Sequence, residues 1–315
     1  MQRYKKYDVR GPHAQNKCAQ TVLLGKKIDL YLFKLKNRCT FVFINFAKIM
    51  RTKSFILTLI FACTISFNAM AWGGFGHRAV AEIAERNLTP EAKANIKKYT
   101  KGTPLADYSI WMDLVRKEAP EYAYATRGWH ASVVDTECKT SQELRNKVRE
   151  GRDAVTGLLE FEKMFKEREK LSDSVVMFAL KSIIHMVGDM HCPAHVRFVD
   201  FENQGKFPIK FFGKKTTLHK VWDTSVLTRN YKEWGYQGYA QKLDNLSKKK
   251  IKKITEGWVE DWLEESGRTV RPVIYKVKEG DSLSEEFMEW AYPLAESQAQ
   301  KAGYRLAKVL NTFFK

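Results

Sequence analysis

The segment Ser172 to Met190 is the most apolar helical stretch of the chain, and it carries His185 and Asp189 four residues apart. A helix of that composition belongs at the centre of a fold, where an imidazole and a carboxylate on one face need a compensating partner. Helical periodicity dominates the sequence around it. Thr89-Pro90-Glu91 is an N-cap followed by proline at the first helical position, which predicts a helix through about Tyr99. A second is expected near Ala106. Ser141 to Lys170 is charged on most faces, with apolar returns at Leu144, Val148, Val155, Leu158, Leu159, Phe161 and Phe165, and reads as one or two long surface helices. Further helices are expected at about 217–229, 235–263 with breaks, and 284–311. Residues 199–216, with Gly205, Pro208 and Gly213, read as a loop or short hairpin. No alternation of apolar and polar residues is long enough to predict a sheet, so the expected fold is mainly α, in one or two domains.

The net charge of +18 suggests nucleic acid until it is divided along the chain. Residues 1–71 hold 13 Lys/Arg against 2 Asp/Glu, and the remainder holds 41 against 34, a balance of +7. That suits a polyanionic substrate and suits an ordinary soluble enzyme equally well. Met50-Arg51-Thr52-Lys53, the apolar run Phe55 to Phe67 and the small-x-small ending Ala69-Met70-Ala71 together predict an export signal over residues 50–71. The apolar run is shorter than the roughly 20 residues that cross a bilayer, so no membrane anchor is expected after processing. Residues 1–49 read as an upstream start outside the folded domain, which then spans 72–315. The mature protein is expected to be secreted or periplasmic and a monomer. Its cysteines, Cys138 and Cys192, are free to form one disulfide bond. Lys248-Lys-Lys-Ile-Lys-Lys253 is the densest basic run and reads as a solvated helix face.

Six histidines follow residue 71, and five of them fall in patterns with aspartate or tryptophan. His185-x3-Asp189 sets an imidazole and a carboxylate on one helix face, and His219-x3-Asp223 repeats the spacing. One such pair is more readily a solvated ion pair than a metal site. Two of them among apolar residues (Ile183, Ile184, Met186, Val187; Leu218, Val221, Trp222) point to metal ligation, which supplies the missing compensation. His195 lies about 80° around the helix from His185, with Pro193 between them to redirect the chain toward a neighbouring ion. His191, on the side away from His185, reads as a supporting residue. Nitrogen and oxygen donors without cysteine clusters favour zinc and hydrolysis over electron transfer, with manganese or iron open on ligand type alone.

Trp72-Gly-Gly-Phe-Gly-His77, Trp111-Met-Asp113-Leu-Val-Arg116, Trp129-His130, His185-x3-Asp189-x5-His195, Leu218-His219-x2-Trp222-Asp223-Thr224 and Ala302-Gly-Tyr-Arg-Leu-Ala307 occur in this order. Together they resemble the zinc-dependent single-strand nucleases of the S-one/P-one type, within the phospholipase C/P-one nuclease superfamily. The resemblance implies a mainly α, single-domain multi-helix bundle with three zinc ions in a cleft. Hydrolysis of single-stranded DNA and RNA to 5′-mononucleotides, with 3′-nucleotidase activity, is implied with it. It places Asp113, His130, His185 and a bridging Asp189 on one ion, and His77, Asp189 and the amine and carbonyl of Trp72 on a second. His195, His219 and Asp223 fall on a third. Two ions sharing a water would present a zinc-bridging hydroxide to phosphorus, the third would stabilise the leaving 3′-oxygen, and Arg116 would clamp phosphate oxygens. Asp113, Arg116 and Asp189 are thus the expected catalytic residues.

Trp72 can ligate through its nitrogen only as a free amine, so cleavage after Ala71 would complete the site. The chain departs from the family at its base-binding positions. Ala131 follows the histidine of Trp-His where the family has an aromatic residue, no Gly-Gly-Asn loop stands between His195 and His219, and Thr217 replaces a common Asn. Two alternatives have different chemistry. A zinc-dependent phospholipase C would share the metal site, but the short Trp72 to His77 spacing and Asp223 in place of glutamate weigh against it. A nonenzymatic exported zinc- or nucleic-acid-binding protein would hold metal without turnover.

Overall fold

The computed structural model describes residues 72–118, 126–229 and 231–315, without the side chains at 116–118, 202, 203, 231 and 232. The expected export signal and everything upstream of it lie outside the described residues. Helix α1 (Gly73–Arg86) buries Ala79, Val80, Ala81, Ile83 and Ala84. The sequence predicts no helix here, because Gly73, Gly74 and Gly76 each weaken one by about 1 kcal/mol relative to alanine. Packing overrides that preference. Helix α2 (Pro90–Thr100) is capped as predicted, Thr89 Oγ1 accepting from Ala92 N at 3.2 Å. Two short helices follow, α3 (Leu105–Tyr108) and α4 (Trp111–Glu118).

Strand β1 (Ser132–Val134) leads into α5 (Gln142–Arg149) and α6 (Ala154–Phe165). The break between these helices is set at Asp153, whose carboxylate accepts from Val155 N at 2.8 Å and from Val133 N at 3.0 Å. One carboxylate thus starts a helix and ties it to β1. The expectation of surface helices is corrected for α6, which buries Val155, Leu158, Phe161 and Phe165. The apolar segment forms α7 (Asp173–His191) as predicted, with Ile183, Ile184, Met186 and Val187 buried. A turn closes it, Cys192 N donating to Asp189 O at 2.9 Å and His195 N to Cys192 O at 2.9 Å. That turn carries Pro193 and feeds β2 (Val196–Phe198).

Strands β1 and β2 pair in parallel, Ser132 opposite Val196 and Val134 opposite Phe198. Strands β3 (Pro208–Phe211) and β4 (Lys214–Thr217) form the expected hairpin, turning at Phe212 and Gly213 with φ of 48° and 75°. Both central residues of a two-residue turn then have positive φ, the geometry that matches strand twist. Strand β5 (Ser282–Leu283) joins β3 in parallel. These pieces contradict the absence of any predicted sheet. They run for two to four residues, too short to write a period-two signature.

Helix α8 (218–228) has α-helical turns at Leu218–Lys220 and Val226–Thr228 on either side of a π-turn at Val221–Ser225. Helix α9 (Tyr231–Leu243) bends at Gly235, with φ 59°. The lysine run forms α10 (Lys248–Ile254), its lysines exposed as expected and Ile251 and Ile254 half-buried. Helix α11 (Val259–Ile274) extends well past the expected stop near 263. The closing helix α12 (Glu285–Phe313) packs against α1, where a Cβ at Gly303 would lie 2.5 Å from Ile83 Cγ2. Glycine at that position lets the two backbones approach. The described residues outside Leu171–Val176 make up one compact unit. No described helix is long and apolar enough to cross a membrane.

Candidate metal centre

Helix α7 presents His185 and Asp189 from its buried face, and three other elements bring partners to them. His77 comes from the first turns of α1, Asp113 from α4, and His130 from the end of a 3-10 turn, Arg127–His130, just before β1. His77 Nε2 lies 3.2 Å from Asp189 Oδ1, while His130 Nδ1 and His185 Nε2 lie 3.1 and 3.2 Å from Asp189 Oδ2. Asp113 faces the same place, 3.8 Å from His130 Nδ1 and 3.9 Å from His185 Nε2. The parallel pairing of β1 with β2 sets the chain just before each strand side by side, Ser132 N donating to His195 O at 3.1 Å. His195 is thereby delivered beside His130.

A second cluster lies against the first. His195 Nε2 stands 2.9 Å from Asp223 Oδ1 and 3.9 Å from Asp189 Oδ1. Trp72 N donates to that same Asp223 oxygen at 2.8 Å. The nitrogen of Trp72 therefore sits among the expected ligands, next to the carboxylate assigned to the third ion. Its carbonyl accepts from Gly76 N at 3.0 Å, within the first turn of α1. His219 is looser, with Nε2 4.0 Å from Asp223 Oδ2. The π-turn of α8 begins just after His219 and carries Asp223, and such insertions are frequent at functional sites. Arg116 is on α4, one turn beyond Asp113, and its side chain is outside the described residues.

The donor atoms form three groups whose members lie within 4.8 Å of one another: His77, His185 and Asp189; Asp113, His130 and His185; and Cys192, His195 and Asp223. Cys192 is the one member absent from the sequence reading, where it stands only as a disulfide candidate. That pairing is not found. Cys138 and Cys192 are both buried and unbridged. Cys138 sits at a left-handed turn beyond β1, and Cys192 Sγ lies 4.0 Å from Asp223 Oδ1 at the end of α7. Burial, with Asp223 and Asp189 nearby, pushes the Cys192 thiol well up, so it stays protonated at neutral pH.

Electrostatics and orphaned atoms both ask for a cation. His185 Nδ1 donates to Ser109 O at 2.7 Å, so a neutral His185 turns a bare Nε2 toward two carboxylates and His130. Burial alone would lower His185, but Asp189 and Asp113 outweigh it and raise it to about 9. Burial would likewise raise Asp189, yet His195 and His185 hold it well below the usual carboxylate range. Burial lowers His77 and His130, and His219 falls to about 4 through burial and the neighbouring His195. His77 Nε2 and Asp189 Oδ1 face each other without hydrogen-bond geometry, and His130 Nε2, His195 Nδ1 and His219 Nδ1 are also buried without hydrogen-bond partners. Each such atom costs about 1–3 kcal/mol if left unsatisfied. Divalent cations among these nitrogen and oxygen donors would relieve that cost, and the residues fit a metal.

Supporting residues complete the frame. His191 is buried away from the cluster, donating through Nδ1 to Val187 O at 2.8 Å, with Arg305 Nη1 2.9 Å from its Nε2. Burial and the Arg305 charge drive it down to about 3, so it is a neutral structural residue. Gly188 is a positioning residue that motif spacing does not reveal. A Cβ there would lie 2.7 Å from His77 Nδ1, so only glycine lets α1 press its imidazole onto α7. A glycine inside the most apolar helix was the available signal, since it lowers helix stability without adding contact. Gly188→Ala is expected to displace His77, lower metal affinity at least tenfold and destabilise the fold by about 1–3 kcal/mol, read by metal titration and thermal unfolding.

The cluster opens into a cleft of about 660 Å³ lined by Asp113, His130, His195, His219 and Asp223 together with Arg127, Arg149, Arg152, Arg197 and Lys206. Buried acids and imidazoles beneath a basic lining are suited to hydrolysing a phosphate ester, the metal-dependent phosphodiesterase class. The family model described as S1/P1 Nuclease matches residues 72–315, and the chain belongs to that family. It is 25% identical to Endonuclease 1 of Arabidopsis thaliana, over 82% of this chain and 92% of that one. It is 24% identical to Nuclease S1 of Aspergillus oryzae, covering 76% and 91%, and 23% identical to Nuclease P1 of Penicillium citrinum, covering 76% and 97%. The protein is a nuclease with a mainly α fold.

Proposed function

We propose that the mature chain is an exported, zinc-dependent endonuclease that hydrolyses single-stranded DNA and RNA to 5′-mononucleotides and also removes 3′-phosphates. The observation that carries this reading is the placement of Trp72 N on Asp223, beside imidazoles and carboxylates drawn from separate elements along the chain. Asp113, His130, His185 and Asp189 would hold one zinc; His77, Asp189 and the amine and carbonyl of Trp72 a second; His195, His219 and Asp223 the third. Bound there, the ions would supply Lewis acidity toward water and phosphate oxygens.

The chain's own residues have separable tasks. Asp189 draws four imidazoles into one place, and the Ser109 carbonyl fixes the tautomer of His185. Arg116 would neutralise charge building on the phosphate. In the reaction, a water oxygen bonds to phosphorus as the P–O3′ bond breaks, and the leaving 3′-oxygen takes up a proton. The basic lining of the cleft attracts the polyanion.

The test is product analysis on the processed protein. Single-stranded DNA is expected to give 5′-mononucleotides, with activity abolished by a chelator and restored by zinc. Release of phosphocholine from phosphatidylcholine in place of mononucleotides, or retained metal with no turnover on any phosphate ester, would overturn the reading.

A further inference from the structure

Of the five basic residues that line the cleft, three group together. Arg149 ends α5, Arg197 lies on β2 two residues beyond His195, and Lys206 follows the turn at Gly205. All three line the cleft that exposes His195, His219 and Asp223. Their charges are close enough to act on one another, and those of Arg197 and Lys206 also reach His219. Among the described residues no carboxylate forms an ion pair with any of them. Arg149 donates one bond, Nη2 to Gly128 O at 2.9 Å, and the Nε atoms of Arg149 and Arg197 are buried without a hydrogen-bond partner. The nearby carboxylates are committed elsewhere, Glu150 to Arg152 and Asp223 to Trp72 N and His195. Like charges held together with unfilled donors form a built receptor for an anion.

We infer that Arg149, Arg197 and Lys206 form a subsite for a second phosphate, the 5′-phosphate of the nucleoside whose 3′-oxygen is released. The inference rests on the nuclease reading above. The cations lie beside His195 and His219, the side of the site given to the leaving 3′-oxygen, so the leaving nucleoside brings its 5′ substituent toward them. Lys206 stands in the segment between His195 and His219, and Ala131 offers the cleft only a methyl group. A methyl group gives a base little to stack on, so recognition falls on the phosphate on the far side of the sugar. Nucleoside 3′,5′-bisphosphates and internal linkages of an oligonucleotide are the favoured substrates, and a nucleoside 3′-monophosphate is a poor one.

The experiment compares adenosine 3′,5′-bisphosphate with adenosine 3′-monophosphate on the zinc-loaded mature enzyme, following 3′-phosphate release. The expected ratio of kcat/KM is about tenfold to a hundredfold in favour of the bisphosphate, the range of one or two charge-assisted hydrogen bonds. Arg197→Gln and Lys206→Gln should each bring that ratio toward one, mainly through KM. Zinc content identifies any variant that has lost its fold, and Lys206, being exposed, provides the safer substitution. A wild-type ratio near one, or a ratio retained in both variants, would overturn the subsite while leaving the nuclease reading intact. Failure to hydrolyse either compound while single-stranded DNA is still cut would overturn the subsite and the 3′-phosphate activity, and failure on single-stranded DNA as well would sink the nuclease reading itself.

Discussion

A protein that retains Ala71 ahead of Trp72 is expected to lose a zinc ion and at least a hundredfold of its activity. The nitrogen of Trp72 is buried against Asp223, so its position is set by the fold whether or not the chain has been cut. Its chemistry is set by the cut. An amide nitrogen shares its lone pair with the carbonyl and donates only a hydrogen bond, whereas a free α-amine, with a pKa of about 7.7–8.0, has a lone pair to give a metal. Removing a supporting partner of a metal ligand typically costs about 10- to 100-fold, and removing a ligand costs more. The backbone points the same way. Trp72 has φ 46°, a left-handed conformation worth about 1–2 kcal/mol of strain in a bulky residue. That angle is defined across the peptide bond to Ala71, so cleavage releases the strain and leaves the nitrogen where it is. Zinc quantification and hydrolysis of single-stranded DNA by chains beginning at Ala71 and at Trp72 measure the difference.

The second large effect is expected for Asp189→Asn. The carboxylate of Asp189 faces imidazole nitrogens of His77, His130, His185 and His195 at 3.2, 3.1, 3.2 and 3.9 Å. The amide keeps the shape and loses the charge, and its NH2 would oppose imidazole nitrogens that must themselves donate or bind metal. Removing one side of a buried charge cluster costs about 3–5 kcal/mol. Activity is expected to fall about a thousandfold, with zinc content reduced at the two positions Asp189 would bridge. Zinc content and turnover close to wild type would show that Asp189 serves only to hold the histidines.

What the sequence reveals and what it hides divide along physical lines. The capped helix at Pro90, the apolar helix bearing His185 and Asp189, and the closing helix are legible because each carries a full helical period or a cap. Helix α1 is not, since its glycines oppose a helix that packing against α12 enforces. The short strands β1 and β2 leave no pattern, yet they bring His130 to His195. The donor residues were visible from spacing and from the family resemblance, because metal chemistry restricts residue type and separation. The need for glycine at 188 and the presence of Cys192 in the third donor group depend on distances between elements far apart in sequence. So do Arg149, Arg197 and Lys206, isolated basic residues in sequence that become a cluster only in the folded cleft.

Native mass spectrometry of the protein as its own cells produce it, read for its first residue and its bound metal together, tests the central claim most directly. The account predicts a chain beginning at Trp72 with three zinc ions. A fully zinc-loaded, active protein that keeps residues before Trp72 would contradict it.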